Sequence, residues 1–213
     1  MKNDLHLGDA AVRNLAERIF KETGLACFVR GTRIETAEGL VAVEELRDGM
    51  LVETMDRGLQ PIRRVLSKVV EGDGRLAPVE IAAGVLGNVR PLRVSPHHRM
   101  AITGWRAELL TGEPEVLAEA RHLVDGVRVR VAPVAAVEYF HLLLDRHEII
   151  FAEGAATESY HPFAADAATL SPATLAELEA IFPEVERAFW HGTAMGGVVR
   201  PFASAQEAAL LLR

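Results

Sequence analysis

Between Ala26 and about Tyr160 the chain is cut into strand-length apolar runs by glycine-bearing turns, and this feature constrains the fold most. CFVRGTRIET, GLVAVEEL, MLVETMD, PIRRVLSKVV, PVEIAAGVL, PLRVS, RMAIT, GVRVRVAPV, VEYFHLLL and HEIIFAEG are each the length of a strand. AEG, RDG, DRG, EGDG, LGN and VDG punctuate them, with glycine supplying the positive φ angles that tight turns require. So many short strands without alternating helices predict an all-β domain with long-range pairing, not a βαβ sheet. One helical interruption is expected at Glu115–Leu123. Aromatic residues are only 6% of the chain, so the core is to be built from Val, Leu, Ile and Ala.

The flanks have a different texture. Residues 1–24 read as an amphipathic helix, with Asp9 as N-cap, Val12, Leu15, Ile19 and Phe20 at helical spacing, and Gly24 as C-terminal cap. After Tyr160, Ser171-Pro172 opens a second helical pattern with Leu175, Leu178 and Phe182 as its stripe. Ser204 and Glu207 form a capping-box pattern ahead of Ala208–Leu212. The expected organisation is an N-terminal helix and linker over 1–26, a β-domain over 27–160 and a helical tail over 161–213, packed on the β-domain.

Several function classes are disfavoured at this level. Of the 213 residues, 49% are hydrophobic and 25% charged, the balance of a globular chain. The formal net charge of −7 argues against a broad phosphate-binding surface, so no nucleic-acid partner is expected. No apolar run approaches the ~18–20 residues of a membrane span. The start, MKNDLHLGDAAVRN, lacks the basic-then-apolar pattern of a secretory signal, which makes a cytoplasmic location the default expectation. A single cysteine makes no internal disulfide and excludes a zinc site built from several thiolates.

That cysteine, Cys27, opens the first strand directly after Thr23-Gly24-Leu25-Ala26. As a residue type it is either a small buried hydrophobe or a nucleophile. The segment LRVSPHHRM carries a strand to Ser95, stops it at Pro96, and places His97 and His98 on the turn. A metal set of His97, His98, His141 and His147 lacks the i,i+4 helical placement or carboxylate pattern of a binding site, and neither metal nor cofactor is expected.

Together these segments resemble the hedgehog/intein (Hint) domain family, in its bacterial intein-like branch. CFVRGTRIETAEGLVAVEELRDGMLVETMDRGLQPIRRV is similar to the opening of that domain, in which a cysteine comes first and a G-T-x-I turn and a V-E-E-L hairpin follow. LRVSPHHRM resembles its T-x-x-H block, with Ser95 at the threonine position and His98 at the histidine. VEYFHLLLDRHEIIFAEGAATES resembles its C-terminal paired strands, with His147 near that block's histidine. The likeness runs from Cys27 to Ser159.

The resemblance implies a compact, horseshoe-like all-β fold of intertwined hairpins, and N-to-S acyl transfer at the Ala26–Cys27 bond. The substrate would be the chain's own N-terminal segment, and water or an external nucleophile would resolve the thioester. In this scheme Cys27 is the nucleophile, Ser95 hydrogen-bonds the scissile amide, His98 protonates the leaving nitrogen and His147 belongs to the site. His97 is left exposed. His147 is alternatively a structural histidine beside Asp145. Two departures matter. The matching region reads Ala156-Thr157-Glu158-Ser159 in place of a terminal His-Asn pair, so splicing is not expected. The aspartate usual in the family's late strand falls near Phe140 by spacing, while Asp73 reads as a turn residue. A catalytically degenerate Hint fold serving as a binding or structural module is the alternative, and a histidine-metal hydrolase is a distant third.

Overall fold

The computed structural model describes residues 26–160 and 198–213. The helices expected over 1–24 and from Ser171 to Phe182 lie outside the described residues.

Among the described residues fourteen strands follow one another: β1 (Phe28–Val29), β2 (Arg33–Thr36), β3 (Gly39–Ala42), β4 (Leu51–Thr54), β5 (Gly58–Pro61), β6 (Arg64–Gly72) and β7 (Val79–Ile81) form the first half. The second half holds β8 (Leu92–Val94), β9 (Arg99–Thr103), β10 (Glu115–Glu119), β11 (Val129–Val131), β12 (Val134–Leu143), β13 (Ile149–Ala152) and β14 (Ala155–Glu158). Two short helices are described as well, α1 (Trp105–Thr111) and α2 (Ala205–Leu211). The all-β expectation holds, and the strands fall where the apolar runs do.

One sheet has the order β11-β7-β8-β1-β12-β6, so β1, only two residues long, is flanked on both sides by strands far along the chain. Phe28 faces Phe140 on β12 and Val94 on β8. The other sheet runs β10-β9-β14-β13-β2-β4-β5, with β3 beside β2. Phe28, Ile34, Val52, Leu92, Val94, Met100, Phe140, Leu142 and Ile150, all buried, knit the two sheets into one apolar core. Each such side chain contributes about 1.5–3 kcal/mol by leaving water.

Local chemistry explains the irregular points. β12 and β6 pair along most of their length, with a register shift between Val134 and Val137. Gly72 lies opposite Val134, and a Cβ there would sit 2.5 Å from the valine Cγ2, so only glycine fits. Asp73 is indeed in a turn, with its carbonyl accepting from the Leu76 amide.

The helix expected at Glu115–Leu123 is corrected. Glu115–Glu119 is β10, paired residue for residue with β9, and a single 3-10 turn at Ala120–His122 follows it. EVLAE has good intrinsic helix formers, but five cross-strand pairs and the burial of Val116, Leu117 and Ala118 override that preference. The helix lies earlier, at α1, between Gly104 (φ 108°) and Gly112 (φ 79°). The capping box at Ser204 is present: its hydroxyl accepts from the Glu207 amide, and the Glu207 carboxylate accepts from the Ser204 amide. α2 buries Ala208 and Leu211 against α1 and β10.

Candidate functional site

The site is centred on the peptide bond joining Ala26 to Cys27. Cys27 is fully buried at the mouth of β1. Its neighbour on the sheet is the end of β8, and Ser95, one residue past that strand, holds Cys27 twice. The Ser95 amide donates to the Cys27 carbonyl at 2.9 Å, and the Cys27 amide donates to Ser95 Oγ at 2.9 Å. The serine hydroxyl therefore sits on the nitrogen side of the Ala26–Cys27 bond. Pro96 ends the strand and lets the chain turn, with the His98 amide closing onto the Ser95 carbonyl at 3.1 Å.

The carbonyl side of the same bond is held by a residue that the sequence placed only in a discarded metal set. His141 projects from β12 near its C-terminal end, one residue after the Phe140 that pairs with Phe28. Its Nδ1 is 2.7 Å from the Ala26 carbonyl oxygen, and its Nε2 is 3.1 Å from Cys27 Sγ. A carbonyl oxygen only accepts, so Nδ1 carries the hydrogen. Burial lowers the His141 pKa to about 4, with the Ala26 carbonyl bond pulling the other way, so the ring is neutral at pH 7. Nε2 is then a bare lone pair aimed at the thiol. Burial likewise pushes the Cys27 thiol well above its ordinary value, against the smaller opposing effect of Ser95, so it rests as S–H and donates to Nε2. The His141 ring is flanked by Tyr160 at 5.0 Å between centroids. Tyr139, whose hydroxyl donates to the Leu76 carbonyl, has its own pKa raised by burial and by the neighbouring Cys27.

His98 is buried edge-on against Phe28, with ring centroids 4.6 Å apart. Its Nε2 bonds to Thr157 Oγ1, whose hydroxyl donates to the Arg99 carbonyl, so Nε2 is the protonated nitrogen. Nδ1 has no hydrogen-bond partner among the described residues. Burial lowers the His98 pKa to about 4; Glu158 opposes this, while His141 and Arg99 add to it.

His147 belongs to a second cluster. Its Nε2 is 3.1 Å from Glu158 Oε2, and its Nδ1 accepts from the Val199 amide at 3.3 Å. The carboxylate beside it is Glu158 and not Asp145, which forms a paired contact with Arg63. Burial would raise the Glu158 carboxyl, but the His147 bond and the Arg99 charge outweigh it and hold the group below its usual value. His97 is half-buried, with Nδ1 3.4 Å from Glu119. Ser159 is spent on structure, its Oγ accepting from the Glu148 amide. Among the described residues no three His, Cys, Asp or Glu side chains are grouped to hold a metal ion, and no helix is long and apolar enough to cross a membrane.

The described fold is thus a domain of two antiparallel sheets that bury a thiol beside the peptide bond preceding it. The Hint domain family model matches residues 26–164, and the chain belongs to that family. Among solved structures it is similar to a bacterial intein-like domain from Clostridium thermocellum, at 15% identity over 62% of this chain and 97% of that one, with a TM-score of 0.44. It is also similar to a DnaB intein from Synechocystis sp. PCC 6803, at 14% identity over 63% and 98%, with a TM-score of 0.40. No curated protein matches the chain in sequence.

Proposed function

We propose that this Hint domain processes itself by an N-to-S acyl shift at Ala26–Cys27, forming a thioester that water or another nucleophile then cleaves, without splicing. The observation that carries the reading is the grip on one peptide bond. Its N–H is held by Ser95 Oγ, its carbonyl oxygen by His141 Nδ1, and the thiol that would attack it lies on the same imidazole. Attack closes a five-membered ring within the chain, so proximity is supplied covalently. The substrate is the chain's own segment ending at Ala26, and the chemistry needs no cofactor.

In this reading Cys27 is the nucleophile and Ser95 orients the scissile amide. His98 packs on Phe28 and closes the turn that carries Ser95; it starts neutral, with an open Nδ1. His147 is a positioning residue, fixing Glu158 at the end of β14. The region Ala156–Ser159 offers no asparagine to cyclise, and the Ser159 hydroxyl is committed to Glu148, so a second cut there is not expected.

Burial of the thiol stands on the side of a silent binding module, as do the missing terminal His-Asn pair and the missing late-strand aspartate. Intact-mass measurement separates the two. Full-length protein incubated at pH 7–8.5 with dithiothreitol or hydroxylamine should yield a species beginning at Cys27, and Cys27→Ala should yield none. Wild-type protein that stays full-length under both reagents overturns self-processing.

A further inference from the structure

The acyl shift is an isomerisation. The Ala26 C–N bond breaks, an Ala26 C–Sγ bond forms, and one proton leaves sulfur while one arrives at nitrogen. A single carrier can therefore complete the proton balance, provided that it touches sulfur and can reach the nitrogen. Resting on the acyl-shift reading above, we propose that His141 is this carrier, and a catalytic residue in its own right: Nε2 takes the thiol proton while Nδ1–H steadies the oxyanion, and Nε2 then returns the same proton to the Cys27 nitrogen.

Three features of the fold support the assignment. The first is contact with the reacting atoms. Nε2 lies 3.1 Å from Sγ and Nδ1 lies 2.7 Å from the Ala26 oxygen, so one rigid ring spans both the nucleophile and the position where negative charge develops. The two ring nitrogens have complementary duties, as the tautomer is fixed by the carbonyl. When Nε2 accepts the proton, the ring becomes an imidazolium, and its Nδ1–H bond to the oxyanion becomes a charge-assisted one. Base catalysis and oxyanion stabilisation thereby reinforce each other in a buried place.

The second feature is the geometry after attack. Sγ and the Cys27 nitrogen are then bonded to the same carbon, one bond angle apart. An Nε2–H left beside the sulfur is also beside the nitrogen, whose lone pair is released from amide conjugation as the carbon becomes tetrahedral. Collapse of the oxyanion with C–N cleavage uses that proton, and His141 is neutral again. The third feature is the state of the other imidazole. His98 commits its N–H to Thr157 Oγ1 and is neutral at pH 7, so in the resting site it holds no proton to give the leaving nitrogen. His141 acquires one from the reaction itself.

The experiment uses the full chain and hydroxylamine-driven release of residues 1–26. His141→Asn keeps an N–H donor for the Ala26 carbonyl but removes the base, and His141→Gln serves as a second variant. Release should fall by ~10²–10⁴-fold in each, the usual range for general acid–base catalysis. In the uncleaved Cys27→Ala chain, the ¹⁵N shifts of His141 at neutral pH should show Nδ1 protonated and Nε2 bare. That measurement tests the carrier even if neither His141 variant folds. Wild-type release rates in a folded His141 variant, with Cys27→Ala inactive, would overturn the carrier and leave the acyl shift standing. The opposite tautomer would also overturn it. Wild-type protein that forms no hydroxamate refutes the acyl-shift reading beneath it.

Discussion

Glu153 stands at a tight turn between β13 and β14 in the left-handed region, with φ 52°, and it is almost completely buried. A bulky residue holds such a backbone at a cost of order 1–3 kcal/mol unless its side chain compensates. The compensation is visible. Its carboxylate accepts from the Arg33 amide at 2.8 Å, from Arg33 Nη2 at 2.7 Å and from Arg90 Nη2 at 2.7 Å, tying β2 to the segment that leads into β8. Burial alone would raise this carboxyl, but the two arginines outweigh it and bring the pKa to about 2. Against an unfolded value near ~4.3, that difference is worth about 3 kcal/mol at neutral pH. Loss of one partner of a fully buried pair costs ~3–5 kcal/mol. Both guanidiniums keep access to water here, at 31% and 52% exposure, so the lower end applies.

Glu153→Gln should therefore destabilise the protein by about 3 kcal/mol at pH 7, a fall in Tm of roughly 6–12 °C for a chain of this size. The sign of the pH dependence follows from a lowered folded-state pKa. The contribution is complete above the unfolded value and is lost as pH falls through about 2, so the gap between wild type and variant should shrink to about half by pH 3. Urea and thermal unfolding at pH 7 and pH 3 measure both quantities. A difference below about 1 kcal/mol at pH 7, or one that fails to narrow at pH 3, would refute the reasoning.

Ser95→Ala removes the acceptor of the buried Cys27 amide; it should cost about 1–3 kcal/mol in urea unfolding and slow hydroxylamine-driven release. His97→Ala should leave the release rate within about twofold, since its contact is the partly buried Glu119 carboxylate and general acid–base effects of ~10²–10⁴ attach only to groups at the reacting atoms. Gly72→Ala forces a Cβ onto Val134 and should destabilise by roughly 1–3 kcal/mol, read from the same melts.

The strands were legible because their boundaries are chemical: a glycine or an aspartate-glycine pair interrupts nearly every apolar run. Ser95 could be placed near Cys27 from the family-like spacing, as Pro96 fixes where β8 stops. His141 was not legible, and the reason is periodicity. From Val137 to Leu143 nearly every residue of β12 is buried, so there is no in–out alternation to say which side chains face β1. A displacement of one residue along a strand moves a side chain to the opposite face, so a position read as near Phe140 does not distinguish it from His141. The useful signal was a histidine inside an otherwise apolar strand, in VEYFHLLL, which is costly without a buried partner. α1 was missed for a different cause. At seven residues it is too short for a helical period to emerge, and its fixed ends are glycines that read equally well as turns.

The placement of β1 has a consequence for when the grip on the Ala26–Cys27 bond can assemble. Cys27 and His141 are 114 residues apart in sequence, and β1 has no sheet neighbour until β8 and β12 exist. At translation rates of ~5–20 residues per second, the thiol is made roughly 6–23 seconds before its imidazole. Local contacts cannot substitute, because closing so long a loop waits on the strands between. A chain truncated anywhere before β12 carries the cysteine and the peptide bond but lacks the group that spans them. On the proposed acyl-shift reading, the order of synthesis would act as a timer, withholding the chemistry from every copy that ends short of His141.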